Sequence, residues 1–295
     1  MSLNIDAVWP ADLSLGEGPL WHAASGRFLF VDVHGMAVHA WNPASGERRS
    51  WKTPERIGWL IPRADGDGFM AGFHSGFVRL WLEPVLRWEF VGSPHAGRPD
   101  TRMNDAKADC HGRIWAGSLN NTDASVTDGQ LVRLDPDQSF TVMERDIHIA
   151  NGPAIATDGS WMLHTDSYLN TTYRYTLDAD GSLASKVVWR TFSNKEGTPD
   201  GMTFDADGNI WIAFWGGSCI RQFTPTAELL QTIPLPAPQI TSMAFGGDDY
   251  RTLLVTSARV GLDAATLQQF PMSGACFILY PGVQGLAALP FGQRI

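Results

Sequence analysis

The sequence predicts an all-β protein, a six-bladed β-propeller with four-stranded blades. A hairpin pattern recurs six times, and its copies begin at residues 17, 58, 104, 151, 200 and 242. The intervals of 41 to 49 residues lie in the range that is typical of propeller blades. Apolar residues alternate at period 2 along almost the whole chain, which favours strands over helices.

The clearest copy of the pattern runs from residue 198 to residue 217. It begins with the polar segment Pro199-Asp200-Gly201, continues as a short apolar strand, turns at residues 205–208 and returns as a more apolar strand. Because a lone hairpin with one buried face is not stable, the copies are expected to stack against one another. A third strand follows each hairpin and a fourth follows most of them, so each repeat predicts one four-stranded blade.

The N-terminal segment from Leu3 to Trp9 is strand-like but precedes the first hairpin. The last repeat has a third strand that ends near Tyr280, and the Gly/Pro-rich segment after it predicts no clear fourth strand. We therefore expect the N-terminal strand to complete the last blade and close the ring, which removes two exposed sheet edges. Residues 263–270 predict one short helical turn.

Composition limits the class of protein. The 295 residues are 44% hydrophobic and no linker divides them, so we predict a single domain over residues 1–295. The net charge of −9 and the lack of a basic cluster argue against nucleic acid and anionic membrane as partners and favour a cation. No apolar run is long enough to span a membrane, and we expect a monomer or a weak homo-oligomer.

The predicted location is the cytoplasm. No positively charged, apolar leader precedes the first repeat. The three cysteines are widely spaced and odd in number, which predicts reduced thiols rather than disulfides.

Polar residues begin most of the six repeats. In a propeller the innermost strand of each blade lines the channel, so the residues at its start surround one mouth. Convergent carboxylate and amide oxygens are the ligands that Ca²⁺, Mg²⁺ and Mn²⁺ prefer. The alternative is that these residues only cap strand ends, but their recurrence favours a metal site. The start positions are Glu17, Gly58, Asn104, Asn151, Asp200 and Thr241 or Ser242.

Four short strings, in this order and spacing, resemble the gluconolactonase/regucalcin (senescence marker protein) family. The resemblance extends from Leu15 to the segment 282–286 and implies a six-bladed propeller that hydrolyses sugar lactones with one divalent metal. The strings are Leu15-Gly16-Glu17-Gly18-Pro19, Arg102-Met103-Asn104-Asp105, Asn151-Gly152-Pro153 and Pro199-Asp200-Gly201-Met202.

The resemblance also implies roles for single residues. Glu17, Asn151 and Asp200 correspond to the metal ligands, and Arg102 and Asn104 correspond to the residues that hold the carbonyl and hydroxyl oxygens of the substrate. Where the family commonly has Asn-Asp-Gly-Lys and Ser-Asn, this chain has alanine in place of the glycine and of the serine. Neither change removes a predicted ligand.

The implied reaction is metal-dependent hydrolysis of an aldonolactone to the aldonic acid. The metal is Ca²⁺, Mg²⁺, Mn²⁺ or Zn²⁺, since oxygen ligands accept all four, and Asp200 could act as ligand and as general base. Two alternatives are a metal-dependent hydrolase of another ester or phosphoester class and a non-enzymatic calcium-binding protein. A polar mouth favours the lactonase over the first alternative, and an arginine beside the metal ring favours it over the second.

Overall fold

A computed structural model describes residues 5–293, which form 24 β-strands and one α-helix. The helix α1 (Ala264–Gln269) lies where the sequence predicts a helical turn, and Asp263 caps it by accepting a hydrogen bond from the backbone N–H of Thr266.

In chain order the first twelve strands are β1 (Asp6–Trp9), β2 (Gly16–His22), β3 (Arg27–Asp32), β4 (Ala37–Trp41), β5 (Arg48–Lys52), β6 (Ile57–Pro62), β7 (Phe69–Phe73), β8 (Gly76–Trp81), β9 (Arg87–Gly92), β10 (Thr101–Ala108), β11 (Ile114–Asn120) and β12 (Gly129–Leu134). The other twelve are β13 (Phe140–Ile147), β14 (Ala150–Ile155), β15 (Trp161–Asp166), β16 (Thr171–Leu177), β17 (Leu183–Thr191), β18 (Thr198–Phe204), β19 (Ile210–Trp215), β20 (Cys219–Phe223), β21 (Leu229–Pro234), β22 (Gln239–Gly246), β23 (Thr252–Ala258) and β24 (Cys276–Leu279).

These elements belong to two compact units. The first contains the chain up to Arg56 and the segment Ser193–Ala288, and the second contains Ile57–Phe192 and the chain from Leu289 onward. The single-domain assignment stays a prediction.

The second unit contains three antiparallel sheets of four strands each, in the orders β6-β7-β8-β9, β10-β11-β12-β13 and β14-β15-β16-β17. Each sheet is one of the predicted repeats. Its first strand is mostly buried and its fourth is largely exposed, as the patterns of β6 and β9 show. Burial on both faces accounts for the near-continuous apolar sequence of β6, and exposure accounts for the charged residues Arg87 and Glu89 on β9.

The first unit contains the sheet β2-β3-β4-β5 and an eight-stranded sheet. In the eight-stranded sheet, β18 to β21 form one run of four antiparallel strands, and β22, β23, β24 and β1 form the other. One residue pair, Trp215 and Gln239, joins the two runs. The pairing of β1 with β24 confirms that the N-terminal strand completes the last repeat; the predicted start of that strand at Leu3 lies outside the described residues.

The core of each unit lies between neighbouring sheets. In the second unit, Trp59, Met103 and Val132 belong to one buried cluster, and Trp115 and Tyr175 belong to another. In the first unit, apolar residues of β19–β21 and β22–β24 pack together, and a second cluster joins β2–β4 to β24. Three tryptophans at matched positions in the second strand of their repeats, Trp115, Trp161 and Trp211, are predicted to be core residues. Trp115 and Trp211 are fully buried, whereas Trp161 is only half-buried.

A buried aspartate in the hairpin turn anchors the tryptophan of the returning strand. Asp109 Oδ2 accepts a hydrogen bond from Trp115 Nε1 at 2.9 Å, and Asp205 Oδ2 accepts one from Trp211 Nε1 at the same distance. The backbone N–H of Gly208 donates to the backbone oxygen of Asp205 at 3.1 Å, which confirms the predicted turn at residues 205–208. The turn also fixes the orientation of a core side chain.

The three cysteines, Cys110, Cys219 and Cys276, are free and buried, as predicted. Among residues 5–293 no helix is long and apolar enough to cross a membrane.

His164, on β15, is expected to make the stability of the fold dependent on pH. Its side chain is 1% exposed, and burial lowers its pKa from 6.5 to about 4. Between these two pH values the imidazole of His164 is protonated in the unfolded chain but not in the folded chain. The free energy of unfolding therefore has its full value above pH 6.5 and decreases as the pH is lowered toward 4. We expect a loss of about 2 kcal/mol in the free energy of unfolding between about pH 7.5 and pH 5.

Urea unfolding of the wild type and of His164→Gln across this range measures the contribution. The variant is expected to have a shallower dependence on pH, whatever its stability at neutral pH. Equal slopes for the two proteins would contradict the assignment.

Candidate active site

The predicted site residues lie at β-bulges in the first strand of each sheet. The pairing register shifts after Glu17 in β2, across Asn104 in β10, after Asn151 in β14 and across Asp200 in β18. A bulge places two residues of one strand opposite one of its partner and turns the local side chains away from the regular alternation. The same irregularity follows Ile57 in β6 and Ile240 in β22, so a register shift lies at or next to all six predicted start positions.

In the second unit, Arg102, Asn104 and Asn151 form a connected row of side chains. Arg102 Nη1 donates to Asn104 Oδ1 at 2.9 Å, and Asn104 Nδ2 donates to Asn151 Oδ1 at 2.8 Å. Asn104 Nδ2 also donates to the backbone oxygen of Ala150 at 2.8 Å. The structure therefore brings together the two predicted substrate-binding residues and one predicted metal ligand.

The amide of Asn151 has a defined orientation that suits an oxygen-binding cation. Its Nδ2 donates to Ser167 Oγ at 2.8 Å, so Oδ1 is the atom that faces Asn104. A carbonyl oxygen has two lone pairs, and one hydrogen bond leaves the other for a cation. The side chain is 5% exposed, so its oxygen is held within a packed environment.

Two residues near this row were not predicted. Asn121, in the loop after β11, accepts a hydrogen bond from Arg102 Nε at 3.1 Å and so orients the guanidinium. Asp105 follows Asn104 in the bulge and is 3% exposed. Burial raises the pKa of its carboxyl above the ordinary value, and the charge of Lys107 opposes this rise. The sequence contains no signal for Asn121, because its contact with Arg102 depends on how the loop folds back.

In the first unit, Glu17 and Asp200 are linked through the strand between them. Thr241 Oγ1 donates to the backbone oxygen of Gly16 at 2.6 Å, next to Glu17. On its other side, β22 packs against Gly201, next to Asp200, with no room for a side chain there. Asp200 is 6% exposed and Glu17 is half-buried. Thr241 and Ser242 thus act as a spacer between two predicted metal ligands.

Gly201→Ala tests this spacing. A Cβ at this position would lie 2.9 Å from the backbone oxygen of Thr241 and closer still to the side chain of Ser242. We expect the displaced strand to cost about 1–3 kcal/mol of stability and, by moving Asp200, to lower any turnover that depends on this carboxylate about tenfold to a hundredfold. Adding Ser242→Gly should restore part of both, and unchanged turnover in Gly201→Ala would show that Asp200 does not depend on this contact.

Among residues 5–293, no three His, Cys, Asp or Glu side chains form a group that could hold a metal ion. The predicted set of Glu17, Asn151 and Asp200 contains one amide and only two carboxylates, a composition that hard divalent cations accept. That these three bind one ion stays a prediction.

Residues 15–259 match the model of the SMP-30/Gluconolactonase/LRE-like region. The chain belongs to this family, as its sequence strings indicated. It is 34% identical over 274 residues to 6-deoxy-6-sulfogluconolactonase of Pseudomonas putida, covering 92% of this chain and 93% of that protein. It is 32% identical over 291 residues to regucalcin of Danio rerio, covering 97% of each.

A solved structure of similar shape is that of a calcium-binding protein, regucalcin, from Agrobacterium tumefaciens. The TM-score is 0.93 and the identity 25%, and the match covers 99% of this chain and 98% of the other. The all-β architecture of four-stranded antiparallel repeats is therefore shared with a regucalcin structure.

Proposed function

We propose that this chain is a metal-dependent sugar lactonase that hydrolyses an aldonolactone to the aldonic acid. The observation that carries the proposal is the row Arg102–Asn104–Asn151, which joins the two proposed substrate-binding residues to an oriented ligand oxygen. Membership of the family and the lactonase named among the relatives support it.

The proposed metal ligands are Glu17, Asn151 and Asp200, and the cation is Ca²⁺, Mg²⁺, Mn²⁺ or Zn²⁺. When bound, such an ion polarises a carbonyl as a Lewis acid and makes a nearby water more acidic. The regucalcin from Agrobacterium tumefaciens is described as a calcium-binding protein, so Ca²⁺ is the first ion to test.

The side chains of this chain have complementary roles in the reaction. Asp200, a buried carboxylate, takes a proton from the attacking water. The water oxygen bonds to the lactone carbonyl carbon, the ring C–O bond breaks, and the proton passes to the departing ring oxygen. Arg102 donates to the carbonyl oxygen as it gains negative charge. Both amide hydrogens of Asn104 are used by Ala150 and Asn151, so Asn104 accepts from a sugar hydroxyl through the second lone pair of Oδ1. Asn121 keeps the Arg102 guanidinium in place for this role.

We also infer that the repeats form six blades of a single propeller domain. Four sheets already have four strands each, and the eight-stranded sheet divides into two such runs that meet at only one residue pair. A cytoplasmic location is supported by the three free, buried thiols. The partner is a small sugar lactone, and the protein is proposed to be a monomer or a weak homo-oligomer.

Removal of bound metal is expected to abolish lactone hydrolysis, with a loss of at least about a hundredfold. The test strips the protein with a chelator and then adds Ca²⁺, Mg²⁺, Mn²⁺ and Zn²⁺ singly, with a panel of five- and six-carbon aldonolactones. A 6-sulfonated gluconolactone belongs in the panel because of the relative from Pseudomonas putida.

Recovery of turnover with one ion would support the proposal and identify both metal and sugar. Full activity in the stripped protein would refute metal dependence. Tight calcium binding without turnover of any lactone would favour the non-enzymatic alternative, and turnover of esters or phosphoesters alone would favour the other hydrolase class.

A further inference from the structure

We propose that Tyr168, stacked on His148, forms a sugar-binding wall beside Asn151 and determines which lactones the site accepts. The inference rests on the proposed lactonase function and adds a specificity residue to the same site.

Strand pairing places Tyr168 at the same end of its sheet as Asn151, one of the predicted metal ligands. Asn151 pairs with Thr165 across β14 and β15, so the turn that follows β15 lies at the same end of the sheet as Asn151. Ser167, in that turn, accepts the hydrogen bond from Asn151 Nδ2. Tyr168 is the next residue, and consecutive Cα atoms are about 3.8 Å apart. The backbone of Tyr168 is therefore one residue away from the side chain that contacts a predicted metal ligand.

The ring of Tyr168 rests on a firmly held partner. The ring centroids of His148 and Tyr168 are 4.6 Å apart with an interplanar angle of 15°, a stacked arrangement. His148 Nδ1 donates to Asp166 Oδ2 at 2.9 Å, and the backbone N–H of His148 donates to the same oxygen at 3.1 Å. Asp166 is 5% exposed, so a buried carboxylate fixes the histidine and the histidine fixes one face of the tyrosine.

About half of the surface of Tyr168 is exposed to solvent, so a ligand can contact it. Tyr168 is 49% exposed and its neighbour Leu169 is 46% exposed. Together they form a small apolar surface at the end of the sheet that carries Asn151. Ligand sites combine such aromatic surfaces with a few placed polar groups. A sugar ring has faces of C–H groups that can pack on an aromatic ring, and hydroxyls around its edge. The Tyr168 hydroxyl, and the Nε2 of His148 as an acceptor, provide polar atoms for those hydroxyls.

The chemistry therefore points to a cyclic, hydroxylated lactone that lies with one face on Tyr168. Asn104 and Arg102 would meet its carbonyl side, since both belong to the row that ends at Asn151. The aromatic wall recognises the ring in the ground state and in the transition state alike, so its contribution belongs in KM rather than in kcat.

Steady-state kinetics of Tyr168→Ala on the preferred aldonolactone tests the proposal. We expect KM to rise about three- to tenfold while kcat stays within about twofold. Tyr168→Phe should keep most of the wild-type KM, and His148→Ala should raise KM by a smaller factor because the tyrosine loses its support. Phe90→Ala is the matched control, since Phe90 is an exposed aromatic (60%) on the fourth strand of another sheet.

The outcomes separate this inference from the proposed function. A wild-type KM in Tyr168→Ala, or a fall in kcat at constant KM, would overturn the sugar-binding wall and leave the lactonase intact. If the wild type hydrolyses no lactone, both the proposed function and this inference fail. Thermal unfolding of Tyr168→Ala should match the wild type, because the side chain is exposed.

Discussion

Asp200→Ala is expected to lower kcat/KM for the preferred lactone by about a thousandfold or more. The carboxylate is proposed to hold the cation and to take the proton of the attacking water, and the substitution removes both functions. Asp200 lies at the bulge of β18 and is 6% exposed, so the substitution removes a carboxylate from a position with little access to solvent. Steady-state kinetics with saturating metal measures the loss.

Asp200→Asn separates the two functions. The amide oxygen can still coordinate a cation, but a neutral amide cannot accept the proton. Metal binding retained by calorimetry with turnover lost would assign a general-base role, and loss of both would assign a ligand role alone. Asp248→Ala, at an exposed position in the same unit, is the control. Wild-type turnover in Asp200→Ala would refute the proposed site.

Asp205→Ala is expected to give a loss of about 4 kcal/mol in the free energy of unfolding. The carboxylate is fully buried and accepts hydrogen bonds from Trp211 Nε1 at 2.9 Å, Gln222 Nε2 at 2.7 Å and the backbone N–H of Asn209 at 2.8 Å. Its removal leaves several buried donors without an acceptor, and each costs about 1–3 kcal/mol.

The measurement is urea or thermal unfolding, in which the melting temperature should fall by roughly 10 °C. Asp207→Ala, at an exposed position in the same turn, should stay within about 0.5 kcal/mol of the wild type. A small effect of Asp205→Ala would mean that water replaces the carboxylate and that the turn does not anchor the core.

The order of strands could be predicted from the sequence because it depends on local chemistry. Alternating apolar residues specify strands, and glycines such as Gly112, Gly159 and Gly208 close the hairpin turns with positive φ, a conformation that side chains disfavour. The role of the N-terminal strand followed from counting: the last repeat lacked a fourth strand, and β1 supplies it.

The candidate residues could be predicted as positions but not as an arrangement. The repeat alignment identified Glu17, Asn104, Asn151 and Asp200 because they occupy matched places before each apolar strand. It contained no information on the bulges, since a bulge exists only when two strands pair with unequal numbers of residues.

The sequence by itself determined the all-β repeat, the family and the residues that begin each repeat, because period, turn chemistry and residue type act over a few neighbouring positions. Only the tertiary structure decided where the side chains point. A hydrogen bond to Ser167 orients the amide of Asn151, and one to Asn121 orients the guanidinium of Arg102. The ring of Tyr168 stacks on that of His148. Each of these contacts joins residues of different strands or loops, and such a pairing has a geometry only after the sheets have formed and packed.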